Sequence, residues 1–172
     1  ITMSGSGADI WGPTDEFRFA YKRLSGNGSI TVRVDSLTDI HEWCKAGVMI
    51  RAGLAPVAPQ IHLVYSPRDR VEFMYRLTAG AETTQFNTAN GSTPEPMWLR
   101  MTRAGDTFTA EYSTDGTTWT KVTTAEGATS VQDIIMAGDV YIGLAVGSHV
   151  AGAVTEAKFS GITVTGATGQ WQ

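Results

Sequence analysis

Short runs in which apolar and polar residues alternate, separated by turns, constrain this sequence more than any other feature. In residues 29–37, Ile30, Val32 and Val34 alternate with polar side chains. A period of two is typical of a strand that buries one face. Comparable runs recur about every ten residues, a spacing that favours a sandwich or a barrel. The sequence therefore predicts an all-β fold, either a sandwich or a barrel, with residues 1–172 as a single domain.

The other predicted strands are residues 45–54, 61–65, 71–77, 97–102, 107–113, 140–146 and 158–164. Residues 17–21 also alternate, and the glycine-rich segment 25–28 between them and residues 29–37 predicts a hairpin. Asp115-Gly116 predicts a second, tight hairpin. Residues 130–136 are the one helical candidate, about two turns long. We expect residues 1–7 to be linker-like and residues 91–96 to form a loop inside the domain.

Composition excludes several functional classes. The chain carries 13 Lys+Arg against 17 Asp+Glu, a net charge of −4, which argues against nucleic acid and against polybasic membrane attachment. No stretch reaches the roughly 18 apolar residues of a spanning helix. The single cysteine, Cys44, excludes an internal disulfide, and we interpret it as a small buried residue rather than a reactive thiol. Residues 1–7 do not resemble a secretion signal, so we expect the module to come from a longer polypeptide, although a trimmed mature protein would have a similar start.

Three predicted strands each carry an apolar residue and, two positions later, an arginine: Met49 and Arg51, Met74 and Arg76, and Trp98 and Arg100. If these strands line one sheet, their shared face presents guanidinium groups, thioethers and an indole. Sugar rings stack on aromatic faces, and their hydroxyls or carboxylates accept hydrogen bonds from arginine. In the structural alternative, the arginines pair with Asp15, Glu16 or Glu72 beneath crossing loops.

The remaining tryptophans have weaker positional signals. Trp11 and Trp43 stand beside predicted loops, which makes them candidates for exposed stacking surfaces, with buried packing as the alternative. Trp119 follows the tight hairpin at strand spacing, so we expect it in the core.

Catalytic patterns are sparse. The alternating acidic string of sandwich-fold glucanases is absent, and His41, His62 and His149 show no metal-ligand spacing. Gln60-Ile61-His62 matches one short motif of sandwich-fold alginate lyases, in which the histidine acts on a uronate. The companion Arg-rich and Tyr/Lys-rich motifs of that family are not recognisable here. A chance match is therefore favoured, and no cofactor is predicted.

Structural calcium is a further possibility. Asp9, Asp15, Glu16 and Asp35 could supply the oxygen ligands that a hard cation requires, together with loop carbonyls. The spacing of an EF-hand is absent, so solvated surface carboxylates are the favoured interpretation.

Several segments carry a recognisable pattern of residues: 6–12 (SGADIWG), 15–19 (DEFRF), 28–34 (GSITVRV), 43–51 (WCKAGVMIR), 98–103 (WLRMTR), 112–119 (YSTDGTTW) and 141–149 (YIGLAVGSH). They resemble the bacterial concanavalin A-like (laminin-G-like) jelly-roll modules of secreted carbohydrate-active proteins. The resemblance implies a two-sheet antiparallel β-sandwich, an extracellular setting and a non-catalytic role beside a catalytic domain in the same polypeptide.

Together these observations favour a carbohydrate-binding module that holds a polysaccharide or oligosaccharide on a sheet face. The predicted site consists of aromatic and hydrogen-bonding side chains: Trp98 as the stacking surface, Trp43 and Tyr112 at its margin, Arg51, Arg76 and Arg100 as donors, and His149 at its edge. One alternative is a structural spacer or protein-interaction domain. Another is a sandwich-fold polysaccharide lyase or hydrolase that uses His62 or His149.

Overall fold

The computed structural model of this chain describes residues 1–68, 70–89, 96–124, 126–131 and 134–172. In chain order its strands are β1 (Thr2–Gly5), β2 (Ile10–Trp11), β3 (Thr14–Asp15), β4 (Arg18–Leu37), β5 (Lys45–Arg51), β6 (Gln60–Ser66), β7 (Arg70–Arg76), β8 (Thr84–Ala89), β9 (Met97–Ala104), β10 (Thr107–Ser113), β11 (Thr120–Lys121), β12 (Ser130–Val131), β13 (Val140–Gly147) and β14 (Thr155–Thr168). Within these described ranges, no helix is long and apolar enough to cross a membrane.

The main sheet is antiparallel and follows the order β11-β10-β9-β4-β13-β5-β6-β7-β8. It curls into two layers that share the long strand β4. Residues 18–24 of β4 pair with β13, whereas residues 28–34 pair with β9. We call β13, β5, β6, β7 and β8 the first layer, and β9, β10, β11 and β12 the second. The prediction of an all-β, two-sheet sandwich is confirmed.

The hairpin predicted over residues 17–37 is wrong, because the chain continues through the glycine-rich segment as a single strand. The two halves of β4 have different partners, so the segment carries the chain from one layer to the other instead of reversing it. Gly26 permits this change of direction with a φ of +71°, a conformation that residues with a side chain rarely adopt. A glycine-rich linker between two alternating runs is compatible with either outcome.

The core lies between the layers and is built from the inward residues of the alternating runs. Ile30, Val32 and Val34 are fully buried, as are Val48 and Ile50 of β5. Burying one such side chain stabilises the fold by about 1.5–3 kcal/mol. Strands β5 and β6 contact β9 across this core. The outward residues of each layer consequently face in opposite directions.

Other local predictions differ from the observed structure. The helix predicted over residues 130–136 is wrong in its described part, because Ser130–Val131 pairs with β10 while Ile134 and Met136 are buried in the core. The linker-like start is also wrong, since Thr2–Gly5 pairs with β14. The tight hairpin predicted at Asp115-Gly116 is wrong, because β10 ends at Ser113 and β11 begins at Thr120, so residues 114–119 form a longer loop between these paired strands. The loop predicted at residues 91–96 falls outside the described residues except for residue 96.

The small β2–β3 hairpin lies on the outer face of the first layer and determines what that face can bind. Ile10 is fully buried against Met49 and Ala145, and Phe17 and Phe19 pack beside them. This second, smaller apolar cluster attaches the hairpin to the sheet. The hairpin therefore divides the outer face into a covered centre and accessible ends.

Candidate functional site

A buried ion cluster also anchors the β2–β3 hairpin. The Asp15 carboxylate accepts hydrogen bonds from both terminal nitrogens of Arg76, and Arg51 Nη2 lies 3.2 Å from the same carboxylate. Arg76 further donates to the Gly12 carbonyl at 2.8 Å and to the Thr83 hydroxyl at 3.2 Å. Burial raises the pKa of the Asp15 carboxyl, and the two arginines oppose that rise. Both arginines thus anchor the hairpin to β5 and β7.

The platform predicted from the sequence is not formed. Arg51 and Arg76 do share the outer face of the first layer, but the hairpin covers them and leaves them 3% and 0% exposed. Trp98 and Arg100 lie on β9, whose outer face points away from that of the first layer. The prediction of one shared surface is wrong. The structural alternative, pairing with Asp15, is confirmed for Arg51 and Arg76.

On the second layer, Arg100 has partners of its own. Its Nε donates to Glu111 at 2.8 Å, and its Cζ lies 4.0 Å from the centre of the Trp119 ring. Trp119 is therefore half-buried on the outer face, and the expectation that it belongs to the core is wrong. Tyr112 pairs with Leu99 and packs partly against the core, so it does not share the face of Arg100.

Trp98 is held in place by two close backbone segments. A Cβ atom at Gly116 would lie 2.8 Å from Trp98 Cε2, and one at Gly161 would lie 2.3 Å from its Cη2. Real Cβ contacts are not this short, so both positions require glycine as long as the indole keeps its place. Packing against the loop at Gly116 and against strand β14 at Gly161 gives Trp98 a structural role.

An aromatic pocket of about 290 Å³ lies on the first layer beside the hairpin. Its lining comes from the hairpin and its approach, the ends of β5 and β13, and strands β7 and β8: Asp9, Trp11, Trp43, Lys45, Glu72, Met74, Gln85 and His149. Trp11 is 46% exposed, which is unusual for so large an apolar side chain. Two residues of the predicted site, Trp43 and His149, thus meet here, together with the candidate Trp11.

The charges of the aromatic pocket are organised around Lys45. Its ammonium is 2.8 Å from Asp9 Oδ1, donates to the Trp43 carbonyl at 3.3 Å, and lies 5.7 Å from the Trp43 ring centre. Lys45 is only 3% exposed, so its charge is satisfied inside the protein. Asp9 and Glu72 leave the pocket with more carboxylates than ammonium groups.

His149 closes one side of the aromatic pocket in a strained conformation. Its φ is +61°, which few residues other than glycine adopt. The ring stacks on His41 with 4.5 Å between centres, and Nδ1 lies 3.1 Å from Asp9 Oδ2. Burial lowers the pKa of His149, and nearby Lys45 and His41 add to this effect although Asp9 opposes it. Non-glycine residues in this region of backbone space cluster at functional sites.

His62 and Gln60 lie on β6 beneath the hairpin and are fully buried. Their side chains form a hydrogen bond of 2.8 Å between His62 Nδ1 and Gln60 Oε1. Burial lowers the pKa of His62 well below its usual value, and Lys45 is the next largest cause. A polysaccharide has no access to His62 while the hairpin is in place. The geometry gives no support to the lyase alternative through this residue.

The carboxylates considered for calcium are engaged with other groups. Asp9 and Asp15 have cationic partners, Glu16 accepts from the Ala8 amide at 2.9 Å, and Asp35 pairs with Arg33 and Ser160: these contacts account for all four. Within the described part of the chain, no group of three or more His, Cys, Asp or Glu residues is arranged to hold a metal ion. Structural calcium, the alternative that the sequence left open, stays untested.

No family model and no curated protein matches the chain. Among solved structures, a functionally unknown protein from Saccharomyces cerevisiae superposes with a TM-score of 0.68 at 17% identity, covering 98% of this chain and 88% of that one. A xylan β-1,4-xylosidase from Bacillus halodurans C-125 superposes with a TM-score of 0.52 at 9% identity, over 87% of this chain and 28% of the xylosidase chain. At such identities these likenesses show the fold alone.

Sequence reasoning missed part of the aromatic pocket: Lys45, Glu72 and Gln85 were not among the predicted site residues. For Lys45 a signal exists, because it shares strand parity with Met49 and thus belongs to the outer face of β5. Gln85 lies on β8, a strand that the alternation did not predict. The convergence of these residues depends on sheet order, which local patterns do not contain.

Proposed function

We propose that this chain is a carbohydrate-binding domain whose site is the aromatic pocket. The observation that carries the proposal is the exposed Trp11 indole beside Trp43 in a cavity that also holds polar groups. Sugars present C–H faces that stack on indoles and hydroxyls that exchange hydrogen bonds with charged or amide side chains. Gln85, an exposed residue of the pocket lining, carries a group of that kind.

The charge of the aromatic pocket supports a neutral sugar as its ligand. Lys45 is already paired with Asp9, and the lowered pKa of His149 favours its neutral form. Among the described lining residues, a uronate would meet the carboxylates of Asp9 and Glu72 while the ammonium of Lys45 is already paired, and bringing like charges together is costly. A neutral pyranose avoids this cost and still uses the tryptophans.

The wider setting belongs to the same proposal. The resemblance to modules of secreted bacterial proteins supports an extracellular domain of a larger carbohydrate-active protein, with catalysis carried out by another domain of that polypeptide. Burial of His62 beneath the hairpin agrees with a non-catalytic role. Sugar binding by such a module would concentrate the catalytic domain on its polymer.

Isothermal titration with neutral xylo-, cello- and manno-oligosaccharides tests the proposal. We expect one of these series to bind, and Trp11→Ala to weaken that binding by about tenfold or more, since a stacking surface is lost. Trp119→Ala, which removes a half-buried indole from the opposite face, is the matched control and should leave the affinity unchanged. No retention of any glycan by the native chain would favour the spacer alternative.

The same titration tests the remaining predicted site residues. Trp98→Ala, Arg100→Ala and Tyr112→Ala should have no effect on affinity if the aromatic pocket is the site. Weakened binding in these variants, with Trp11→Ala unaffected, would move the site to the second layer. New ultraviolet absorbance on incubation with uronate polymers would establish the lyase alternative instead.

A further inference from the structure

A second cavity, of about 410 Å³, opens at the other end of the same sheet face. Tyr21, Arg23 and Tyr141 line it, and we call it the tyrosine cavity. Tyr141 pairs with Arg51 at the end of β5, whereas Lys45 of the aromatic pocket begins that strand. The two cavities have no lining residue in common. The tyrosine cavity is therefore a separate place for a ligand.

The two tyrosine rings of this cavity are held in a fixed arrangement. Their centres are 5.1 Å apart and their planes lie at 86°, so they form two walls at a right angle. Tyr21 also stacks on Phe19 at 5.3 Å, and its backbone exchanges two hydrogen bonds with Gln172. Both rings are only half-buried, which leaves ring surface available. Rigid aromatic walls bind a flat ligand face at little entropic cost.

The charge of the tyrosine cavity is the opposite of that in the aromatic pocket. Arg23 lies directly across from Tyr141 in the sheet register and is exposed. Within the described ranges it has no carboxylate partner, and no acidic residue lines the cavity with it. Arg51 and Arg76, in contrast, are buried on Asp15. Arg23 thus offers a free guanidinium fork beside aromatic rings.

We infer that the tyrosine cavity is a second binding site, and that it takes a carboxylate-bearing sugar, a uronic acid residue of an acidic glycan. The sugar ring stacks on a tyrosine while its carboxylate accepts hydrogen bonds from the Arg23 fork. Thr168 and Gln170, which also line the cavity, supply groups for the hydroxyls. This site goes beyond the proposed function, because it neither uses the tryptophans nor selects a neutral ring.

The test compares an oligogalacturonate with the same oligosaccharide after its carboxyl groups have been reduced. We expect isothermal titration at low salt to show binding of the acidic form and at least about tenfold weaker binding of the reduced form. Arg23→Gln should abolish this preference. Arg18→Gln, which removes the same charge from the same strand outside the cavity, is the matched control and should keep it.

Ring replacement provides a second, independent arm. Tyr141→Phe keeps the stacking wall and should bind the acidic oligosaccharide like the native chain, whereas Tyr141→Ala should weaken it by about tenfold. Thermal unfolding of each variant establishes that it is folded. Equal binding of acidic and reduced ligands by the native chain overturns the inference, as does an equal loss in Arg18→Gln and Arg23→Gln.

The two proposed binding sites can be tested independently. Trp11→Ala should leave oligogalacturonate binding unchanged, so its loss in that variant would assign the acidic ligand to the aromatic pocket and overturn the second site. Conversely, absence of neutral-sugar binding would remove the proposed function without touching the Arg23 result.

Discussion

The Asp15 carboxylate and the Arg76 guanidinium form a bidentate salt bridge, with Oδ1 2.6 Å from Nη2 and Oδ2 3.0 Å from Nη1. Neither side chain is exposed. This pair joins the β2–β3 hairpin to β7. Because the hairpin carries Trp11, the same pair also positions the aromatic wall of the candidate site.

Asp15→Asn should destabilise the fold strongly. The amide is nearly isosteric but leaves two buried guanidinium groups without a counter-charge, a loss worth about 3–5 kcal/mol in comparable buried pairs. Urea unfolding measures the change in the free energy of unfolding. Glu16→Gln, at the neighbouring exposed carboxylate, is the control and should cost well under about 1 kcal/mol. Equal stability of the two variants would show that the buried pair does not anchor the hairpin.

Acid should weaken the fold through His62. Burial lowers its pKa well below the ordinary value of 6.5. Below pH 6.5, His62 therefore binds a proton in the unfolded chain but stays neutral in the native state. Above about pH 6.5, His62 is neutral in both states and does not affect the pH dependence of the free energy of unfolding. As the pH falls below this value, the free energy of unfolding decreases by at most about 1.4 kcal/mol per pH unit.

The measurement is the free energy of unfolding of the native chain and of His62→Gln between pH 7.5 and pH 5. The difference between the two should shrink as the pH falls, because the glutamine variant takes up no proton at that position. Gln85→Ala, a change at an exposed position that carries no titrating group, serves as the control and should keep the native slope. A constant difference across this range would contradict a neutral, buried His62.

Replacing Gly161 should cost more than its backbone conformation alone explains. Gly161 and Gly105 have nearly equal φ values, +59° and +63°, but a Cβ meets Trp98 at the first position and nothing within 4 Å at the second. Alanine at either position pays about 1–2 kcal/mol for the left-handed backbone. Gly161→Ala should lose additional stability, visible as a lower Tm, because Trp98 must move.

A Trp98→Ala background isolates this contact. Without the indole, Gly161→Ala and Gly105→Ala should lower the free energy of unfolding by similar amounts, as expected when a coupled neighbour has been removed. If the extra cost persists in that background, the restriction at Gly161 has another source.

Cys44 should be unreactive until the chain unfolds. It is fully buried, and its Sγ donates to the Ser148 carbonyl at 3.3 Å, which confirms its interpretation as a small core residue. A chromogenic disulfide reagent should therefore modify it slowly in buffer, and the modification should follow the urea unfolding curve. Rapid modification of the folded chain would show that the segment around Cys44 opens locally.

The strands could be predicted because alternation reports on the pleat, which is local. Met49 and Arg51 do share a face, as their parity in β5 indicates. The position of Arg100 on the second layer depends on the pairing of β9 with β4, two strands that are far apart in the sequence. The alternation carries no information about that pairing, so three correct local patterns were assembled into one surface that does not exist.

The candidate site was harder to predict for a similar reason. Trp11 sits in a strand of two residues, too short for a period to be seen, and its exposure depends on where Asp15 anchors the hairpin. Trp43 could be chosen because it stands beside a predicted loop, and His149 was placed only at the edge of the predicted site. Trp43 and His149 lie in the same pocket as Glu72 because the strands are ordered β13-β5-β6-β7 in the sheet. This order cannot be inferred from the local sequence pattern.

The long strand β4 determines how the molecule unfolds. Because its residues 18–24 complete one layer and its residues 28–34 the other, neither layer can lose its pairing without freeing an edge of its neighbour. The sandwich therefore has no boundary at which one layer can unfold while the other stays folded. Heat or denaturant should melt it in a single cooperative step, with Trp11 and Trp98 reporting the same midpoint from opposite faces.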